Sequence, residues 1–174
     1  MHSSSDSLTS DEEEKDYKFP TYDDDRLAWY HKVLWVIYTI ATVNSLVTSV
    51  FFWSMVHREQ GINGRTITFH IFNSVFMLLD TVLSHIPVQL LHVIYSHVSL
   101  AVYVSFTVIY WAVGGRNEQG QRYIYDALDY QKKPGVAVFT VFLLILICQP
   151  ASHLVFYALV RVRRWLVIKI NETW

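Results

Sequence analysis

Apolar residues are grouped along this chain in four long blocks that polar segments separate. The blocks cover residues 33–56, 67–86, 90–113 and 136–160. A helix needs about 20 apolar residues to cross roughly 30 Å of hydrocarbon. The pattern therefore predicts an all-α, polytopic membrane protein with four transmembrane helices. These helices form a membrane domain at 27–165, and a short C-terminal tail follows at 166–174.

The edges of the blocks carry signals of their own. Trp35 and Trp53 flank the first block as the aromatic belt of a membrane helix would. Pro87 ends or kinks the second block. The link to the third block is short, which predicts a tight antiparallel hairpin. The longest predicted loop, Gly114–Lys133, separates the third block from the fourth.

Residues 1–26 are polar, acidic and almost free of groups that could be buried. Such a composition is typical of disorder, so we predict a disordered acidic tail. Ser5 and the pair Thr9-Ser10 stand directly before acidic residues, which would suit an acid-directed kinase. A simply solvated acidic tail remains the alternative.

Composition supports the membrane assignment. The chain is 52% hydrophobic and 17% charged, whereas soluble domains are about 25% charged. The single cysteine, Cys148, excludes an intrachain disulfide and a cysteine-based metal site. Nothing in the charge pattern indicates nucleic-acid binding, and we predict no cofactor.

Orientation follows from the basic residues. Four crossings place both termini on one side of the membrane. Lysine and arginine are equally frequent near both faces, but Arg161, Arg163 and Arg164 are concentrated directly after the fourth block. We therefore predict an integral protein of the plasma membrane or an endomembrane, with both termini in the cytosol.

Several polar side chains interrupt the apolar blocks. An ionisable group in hydrocarbon costs on the order of 2.5–3.5 kcal/mol, so Asp80 needs a partner. One hypothesis is a polar intramembrane cluster in which Asp80 orients His92 or His153 as an acid–base pair. The other is that side chains such as Asn73 and Gln149 hydrogen-bond between helices, each contributing about 1 kcal/mol. Both interpretations stay open on the sequence.

Templates for catalysis and metal binding are not matched. The chain lacks Gly-x-Ser-x-Gly, His-Glu-x-x-His and phosphate-binding glycine loops. His70 and Asn73 are spaced as two ligands on one helix face could be, but two such residues are insufficient for a metal site. We predict no metal.

An ordered series of motifs resembles the rolling stone family of animal multipass membrane proteins, over about residues 27–165. That family is named for a role in myoblast fusion. The resemblance implies membrane residence and a function in cell–cell interaction or fusion, with membrane lipids and other copies or chains as partners of the membrane helices. The motifs are His70-Ile-Phe-Asn73, Met77-Leu-Leu-Asp80, Pro87-Val-Gln-Leu-Leu-His92, Phe106-Thr-Val-Ile-Tyr-Trp111, Gly114-Gly115, Tyr123-Ile-Tyr125, Leu128-Asp-Tyr130 and Pro134-Gly135.

The chain is also distantly similar to the androgen-induced transmembrane hydrolases, which cleave fatty acid esters of hydroxy fatty acids with a threonine and a histidine. His70, ten residues before Asp80, resembles that histidine, and Asn73 aligns equally well. The nucleophilic threonine belongs to an earlier span than those in this chain. This resemblance implies an alternative function, an intramembrane lipid-ester hydrolase that is incomplete or inactive here, with His70 and Asp80 as catalytic residues. The sequence favours the non-enzymatic function.

Overall fold

The computed structural model describes residues 28–56, 64–84 and 86–173, and helices are the only regular structure in these ranges. The all-α prediction is confirmed for them, whereas the predicted disordered tail at 1–26 lies outside the described residues. The helices are α1 (Trp29–Phe51, continued by a π turn at Phe52–Val56), α2 (Gly64–Ile67, Thr68–Phe72 and Asn73–Leu83 in succession), α3 (Leu90–His92, then Val93–Ala112) and α4 (Pro134–Leu143, Leu144–Cys148 and Gln149–Thr173 in succession).

Three of these helices are long and apolar enough to cross a membrane. They are Trp29–Met55, Leu90–Ala112 and Pro134–Glu172. The predicted second span corresponds to a shorter apolar helix, Thr68–Leu83. The apolar helices support a membrane location.

Helix α4 is longer than the apolar block that predicted it. Its 39 residues from Pro134 to Glu172 extend about 58 Å, close to twice the thickness of the hydrocarbon. The helix therefore continues through the arginines that follow Val160 and includes most of the segment 166–174. No glycine or proline occurs between residues 161 and 173, and charge alone does not end a helix.

Consecutive helices run in opposite directions. Helices α1 and α4 pack together, and α2 and α3 lie on either side, each in contact with both. Near the start of α1, the Tyr38 hydroxyl lies 3.0 Å from Thr81 Oγ1, and further along, Ser74 donates to the carbonyl of Ser45. Arg163 Nη1 donates to the carbonyl of Thr81, 3.0 Å away. The start of α1 and the arginines of α4 therefore lie at the same end of the bundle.

Polar residues are frequent in the interior of the bundle and apolar residues cover its outside, the reverse of a soluble protein. Among the described residues, thirteen buried residues are polar or charged and ten are hydrophobic. The outer surface is apolar, with Leu83 76%, Leu91 83% and Leu146 66% exposed. Soluble monomers rarely expose contiguous apolar surface on this scale, whereas small hydroxyl residues between helices are typical of membrane bundles.

Candidate functional site

The amide of Asn44 joins three helices near the middle of the bundle. Its Nδ2 donates to Ser99 Oγ of α3 at 3.0 Å, and its Oδ1 accepts from Gln149 Nε2 of α4 at 3.3 Å. Gln149 is completely buried. The side-chain amide of a single α1 residue therefore links α1 to both α3 and α4.

A cavity of about 320 Å³ lies beside this amide. Polar groups of Asn44, Thr48, Ser99 and Tyr103 line it, together with apolar side chains of all three helices. Tyr125, from the loop between α3 and α4, also contributes to its wall. The site can therefore hydrogen-bond a ligand that carries hydroxyl or carbonyl groups and an apolar part.

The loop that adjoins this cavity is packed onto the helix ends. The ring of Tyr125 meets Phe51 edge-on, with 5.7 Å between the ring centroids, and burial raises the pKa of the Tyr125 phenol. The hydroxyl of Tyr130 lies 2.8 Å from Thr107 Oγ1. Asp129 is buried, and its Oδ1 accepts backbone N–H bonds from the next turn. Loop 114–133 therefore has a defined conformation.

The start of this loop wraps around Tyr110. The Tyr110 hydroxyl donates to the carbonyl of Arg116 at 2.6 Å, and the N–H of Gly115 donates to the carbonyl of Tyr110 at 2.8 Å. A Cβ atom on Gly115 would lie 2.6 Å from the Tyr110 ring. Gly114 has a φ of 79°, which favours glycine. The glycine pair allows the chain to turn tightly over the aromatic ring.

The exposed tip of the loop is held by Asn117. Its Oδ1 accepts the N–H groups of Gln119 and Gln121 at 3.1 and 2.8 Å. Arg116 Nη1 donates to the carbonyl of Gly120 at 3.1 Å. These three bonds are local to residues 116–121, and the Tyr110 hydroxyl ties the start of the tip to the end of α3.

Two histidines, one buried and one half-buried, lie within hydrogen-bond distance of main-chain oxygens. His153 is 2% exposed, and its Nε2 lies 2.9 Å from the carbonyl oxygen of Gln89. The ring of His97 lies between the carbonyl oxygens of Val93 and Ile145, at 2.9 and 3.1 Å. Ile145 is part of the π-helical segment Leu144–Cys148, and such segments shift the regular hydrogen-bond register of a helix. The His97 ring therefore joins α3 to α4, and the His153 ring joins α4 to the link that precedes α3.

The predicted polar residues are distributed over different surroundings. Gln149 bonds to Asn44 and His153 to Gln89, while the ring of His92 lies 6.4 Å from that of Trp35. Asn73 is exposed on α2.

Asp80 is also exposed on α2. The described part of the chain gives its carboxylate no hydrogen bond or ion pair, and His153 bonds elsewhere. The structure therefore does not bring Asp80 and His153 together. Asp80 precedes Thr81, whose carbonyl accepts the Arg163 guanidinium, so it lies at the arginine end of the bundle.

His70 lies at the opposite end of α2. Its ring stacks on Phe52 with 3.9 Å between centroids and 8° between planes. The hydroxyl of Ser49 donates to the main-chain oxygen of His70 and contacts Ser74 Oγ, so this hydroxyl is not paired with the imidazole. Ten residues of helix place Asp80 about 15 Å from His70 along the axis. The two predicted catalytic residues are therefore too far apart for a direct pair.

Among the described residues, no group of three or more His, Cys, Asp or Glu side chains is placed to hold a metal ion. The arrangement as a whole offers amides, hydroxyls and singly placed imidazoles. It is suited to holding helices together and to binding a polar group in the cavity.

Sequence reasoning did not select Asn44, Ser99 and His97 as site residues. Asn44 is the only asparagine in its apolar block, and a lone amide in an apolar helix is a signal for an interhelical hydrogen bond. Asn73 gives the same signal from its own block but is exposed. Only the rotation of each helix about its axis distinguishes the two.

Two comparisons with known proteins lead to the same family. The sequence pattern of the family described as "Protein rolling stone" matches residues 14–174. The chain is similar to Protein rolling stone of Drosophila melanogaster, with 33% identity over 123 residues that cover 66% of this chain. The chain aligns with 44% of that relative's length, less than half. No solved structure matches the chain.

The Asn44 bridge gives a testable prediction. Asn44→Ala removes two interhelical hydrogen bonds and leaves a buried donor on Gln149, so we expect a loss of about 1–2 kcal/mol in stability. The measurement is thermal unfolding of the detergent-solubilised protein. Asn73→Ala, measured like Asn44→Ala on the monomeric chain, is the matched control, because that exposed amide has no side-chain hydrogen bond within the described residues. Equal shifts for the two variants would contradict the bridge.

Proposed function

Because the chain belongs to the rolling stone family, we propose that it is a multipass membrane protein whose four helices cross the bilayer and which acts in cell–cell interaction or fusion. The observation that carries this proposal is the ordered loop 114–133, which is built onto one end of an otherwise lipid-facing bundle. The myoblast-fusion role for which the family is named gives the cellular setting.

The crossing of α2 is the least apolar of the four. Its residues Gly64–Leu83 extend about 30 Å, which matches the hydrocarbon thickness. It pairs antiparallel with α1 through hydroxyl and main-chain contacts along its length. Asp80 lies in its last turn, beside the arginine end, where a carboxylate can reach the headgroup layer. The carboxylate is therefore compatible with a crossing helix.

Orientation follows the arginines. With Arg161 and Arg164 at the cytosolic face, both termini lie in the cytosol and loop 114–133 lies outside the cell or in the lumen. In the plasma membrane this loop faces the neighbouring cell. Its tip exposes Arg116, Glu118 and Arg122, so a partner surface would meet both charge signs on a preformed turn, which lowers the entropic cost of binding.

The apolar exterior has partners of its own. Most of the helix surface is suited to lipid tails, as the exposed Leu91 and Leu146 illustrate. On α2, Asn73 is exposed between Phe69 and Phe76, which are 63% and 65% exposed. An amide in that setting favours a helix–helix contact with another copy or another membrane protein.

The second candidate is an intramembrane lipid-ester hydrolase that uses His70. The observation in its favour is the buried His70 Nδ1, which has no hydrogen-bond partner within the described residues. Against it, the Ser49 hydroxyl bonds to the main chain of His70, and Asp80 is about three helical turns away. A nucleophile must pair with its base, so the geometry favours interaction over hydrolysis.

Topology is tested with epitope tags at each terminus and within residues 116–122. We expect antibody to stain the loop tag on intact cells, and both terminal tags only after permeabilisation. Staining of one terminal tag but not the other on intact cells would mean three crossings. Staining of both terminal tags on intact cells, with the loop tag reached only after permeabilisation, would reverse the proposed orientation.

The loop is tested with Gly115→Ala. The new Cβ would overlap the Tyr110 ring, and overpacking of this kind costs about 1–3 kcal/mol, so the loop must shift. We expect unchanged surface display, measured with a tag, and fewer mixed aggregates or fused cells in a two-colour cell-mixing assay. Gly135→Ala, whose Cβ meets nothing within 4 Å, should behave like the unsubstituted chain. Normal cell mixing by Gly115→Ala would count against the loop as the contact surface.

Hydrolysis is tested with a serine/threonine-directed fluorophosphonate probe on the membrane-embedded chain. We expect no labelling, because no hydroxyl is paired with the His70 imidazole in the described structure. Covalent labelling that disappears in His70→Ala but persists in His97→Ala would establish the hydrolase instead.

A further inference from the structure

A second cavity lies at the arginine end of the bundle. Its volume is about 290 Å³, and it opens between the α2–α3 link and the last buried turns of α4. Pro87, Val88 and Gln89 form the wall contributed by the link, while α4 contributes Tyr157 and two arginines. It is separate from the cavity beside Asn44, which lies on the loop side of the bundle.

Positive charge dominates this second cavity. Arg161 and Arg164 both line it, and their i,i+3 spacing places them on one face of α4. No acidic side chain lines the cavity, and within the described ranges neither guanidinium forms an ion pair. The Arg161 guanidinium lies 5.5 Å from the centroid of the Tyr157 ring, which holds it over that wall.

The neighbouring arginine has a different role. Arg163 donates to the main-chain carbonyl of Thr81 and so holds the last turn of α2 against α4. Of the three arginines in this segment, one is engaged in packing and two turn toward the cavity. Basic residues that only set the orientation of a membrane helix need to carry charge, but they need not line a pocket. The different contacts of these three arginines therefore point to a further role for two of them.

We propose that this cavity binds the phosphate group of an anionic lipid headgroup. Guanidinium groups match phosphate oxygens with paired, charge-assisted hydrogen bonds. The cavity lies at the end of the apolar helices, at the depth of the headgroup layer, and basic pockets between membrane helices are suited to anionic headgroups. The exposed apolar surface beside it, including Leu90 and Leu91, can pack against the acyl chains of the same lipid. The proposal requires membrane residence, and it holds whether or not the chain acts in cell contact.

The test is thermal unfolding of the purified full chain in a neutral detergent, titrated with phosphatidylinositol 4-phosphate, phosphatidylserine, phosphatidylcholine or inorganic phosphate. We expect the two anionic lipids to raise the Tm, and phosphatidylcholine to raise it little. Inorganic phosphate at matched concentration should have no effect, because it lacks the acyl chains. Full stabilisation by inorganic phosphate would overturn the lipid assignment in favour of a soluble phosphate ligand.

Variants locate the site. Arg161→Gln with Arg164→Gln should weaken the anionic-lipid effect about tenfold or more, since each lost charged hydrogen bond accounts for a factor of that order. Arg65→Gln with Lys132→Gln removes the same charge at the other end of the bundle, where both side chains are exposed, and should leave the effect unchanged. If the double arginine variant unfolds, Arg164→Gln alone provides the test. The Arg164 side chain has no hydrogen bond within the described residues, so its replacement should leave the fold intact. Unchanged lipid affinity in the arginine variants, or equal losses in both charge-matched pairs, would overturn the proposal.

Discussion

The amide of Asn44 supplies a constraint on which the rest of the bundle depends. In lipid, apolar side chains gain little by leaving the bilayer for one another, so helix association relies on packing and on polar contacts. Asn44 gives both its donor and its acceptor to neighbouring helices, Ser99 of α3 and Gln149 of α4. Rotation of α1 by a quarter turn would break both bonds at once and leave the amide of Gln149 buried without its acceptor. The central pair of helices is therefore fixed in rotation as well as in depth.

The register of α2 against α1 follows from a series of smaller contacts. Tyr38 meets Thr81 at one end, Ser45 meets Ser74 in the middle, and Ser49 meets the main chain of His70 at the other end. Sliding α2 by one turn would separate all of these partners together. Hydroxyl residues suit this task because they are small enough for close helix approach and carry both a donor and an acceptor. The polar interior that suggested chemistry from the sequence thus performs a positioning role between α1 and α2.

Hydropathy predicted the apolar helices well because length and composition are local properties. Helix α1, α3 and the apolar part of α4 follow their blocks, while α4 continues past Val160 because nothing in its sequence ends a helix. Side-chain partners were less predictable, since they depend on the rotation of each helix. Asn44 and Asn73 have similar sequence surroundings, yet one bridges three helices and the other is exposed. The placement of Asp80 follows the same rule: it is exposed on α2 and not beside His153, while its pairing with a histidine stays a prediction.

The two ends of the bundle are built on different principles, and this difference bears on function. At the loop end, aromatic rings and main-chain bonds order a polar segment, as when Tyr110 anchors the turn at Gly115. At the other end, Arg163 is committed to the end of α2 while Arg161 and Arg164 face a cavity that contains no acid. Two guanidinium groups held together repel each other unless an anion lies between them. A headgroup phosphate at this end would relieve that repulsion and fix the depth of α4, and through the Asn44 bridge it would fix the depth at which the opposite loop is presented.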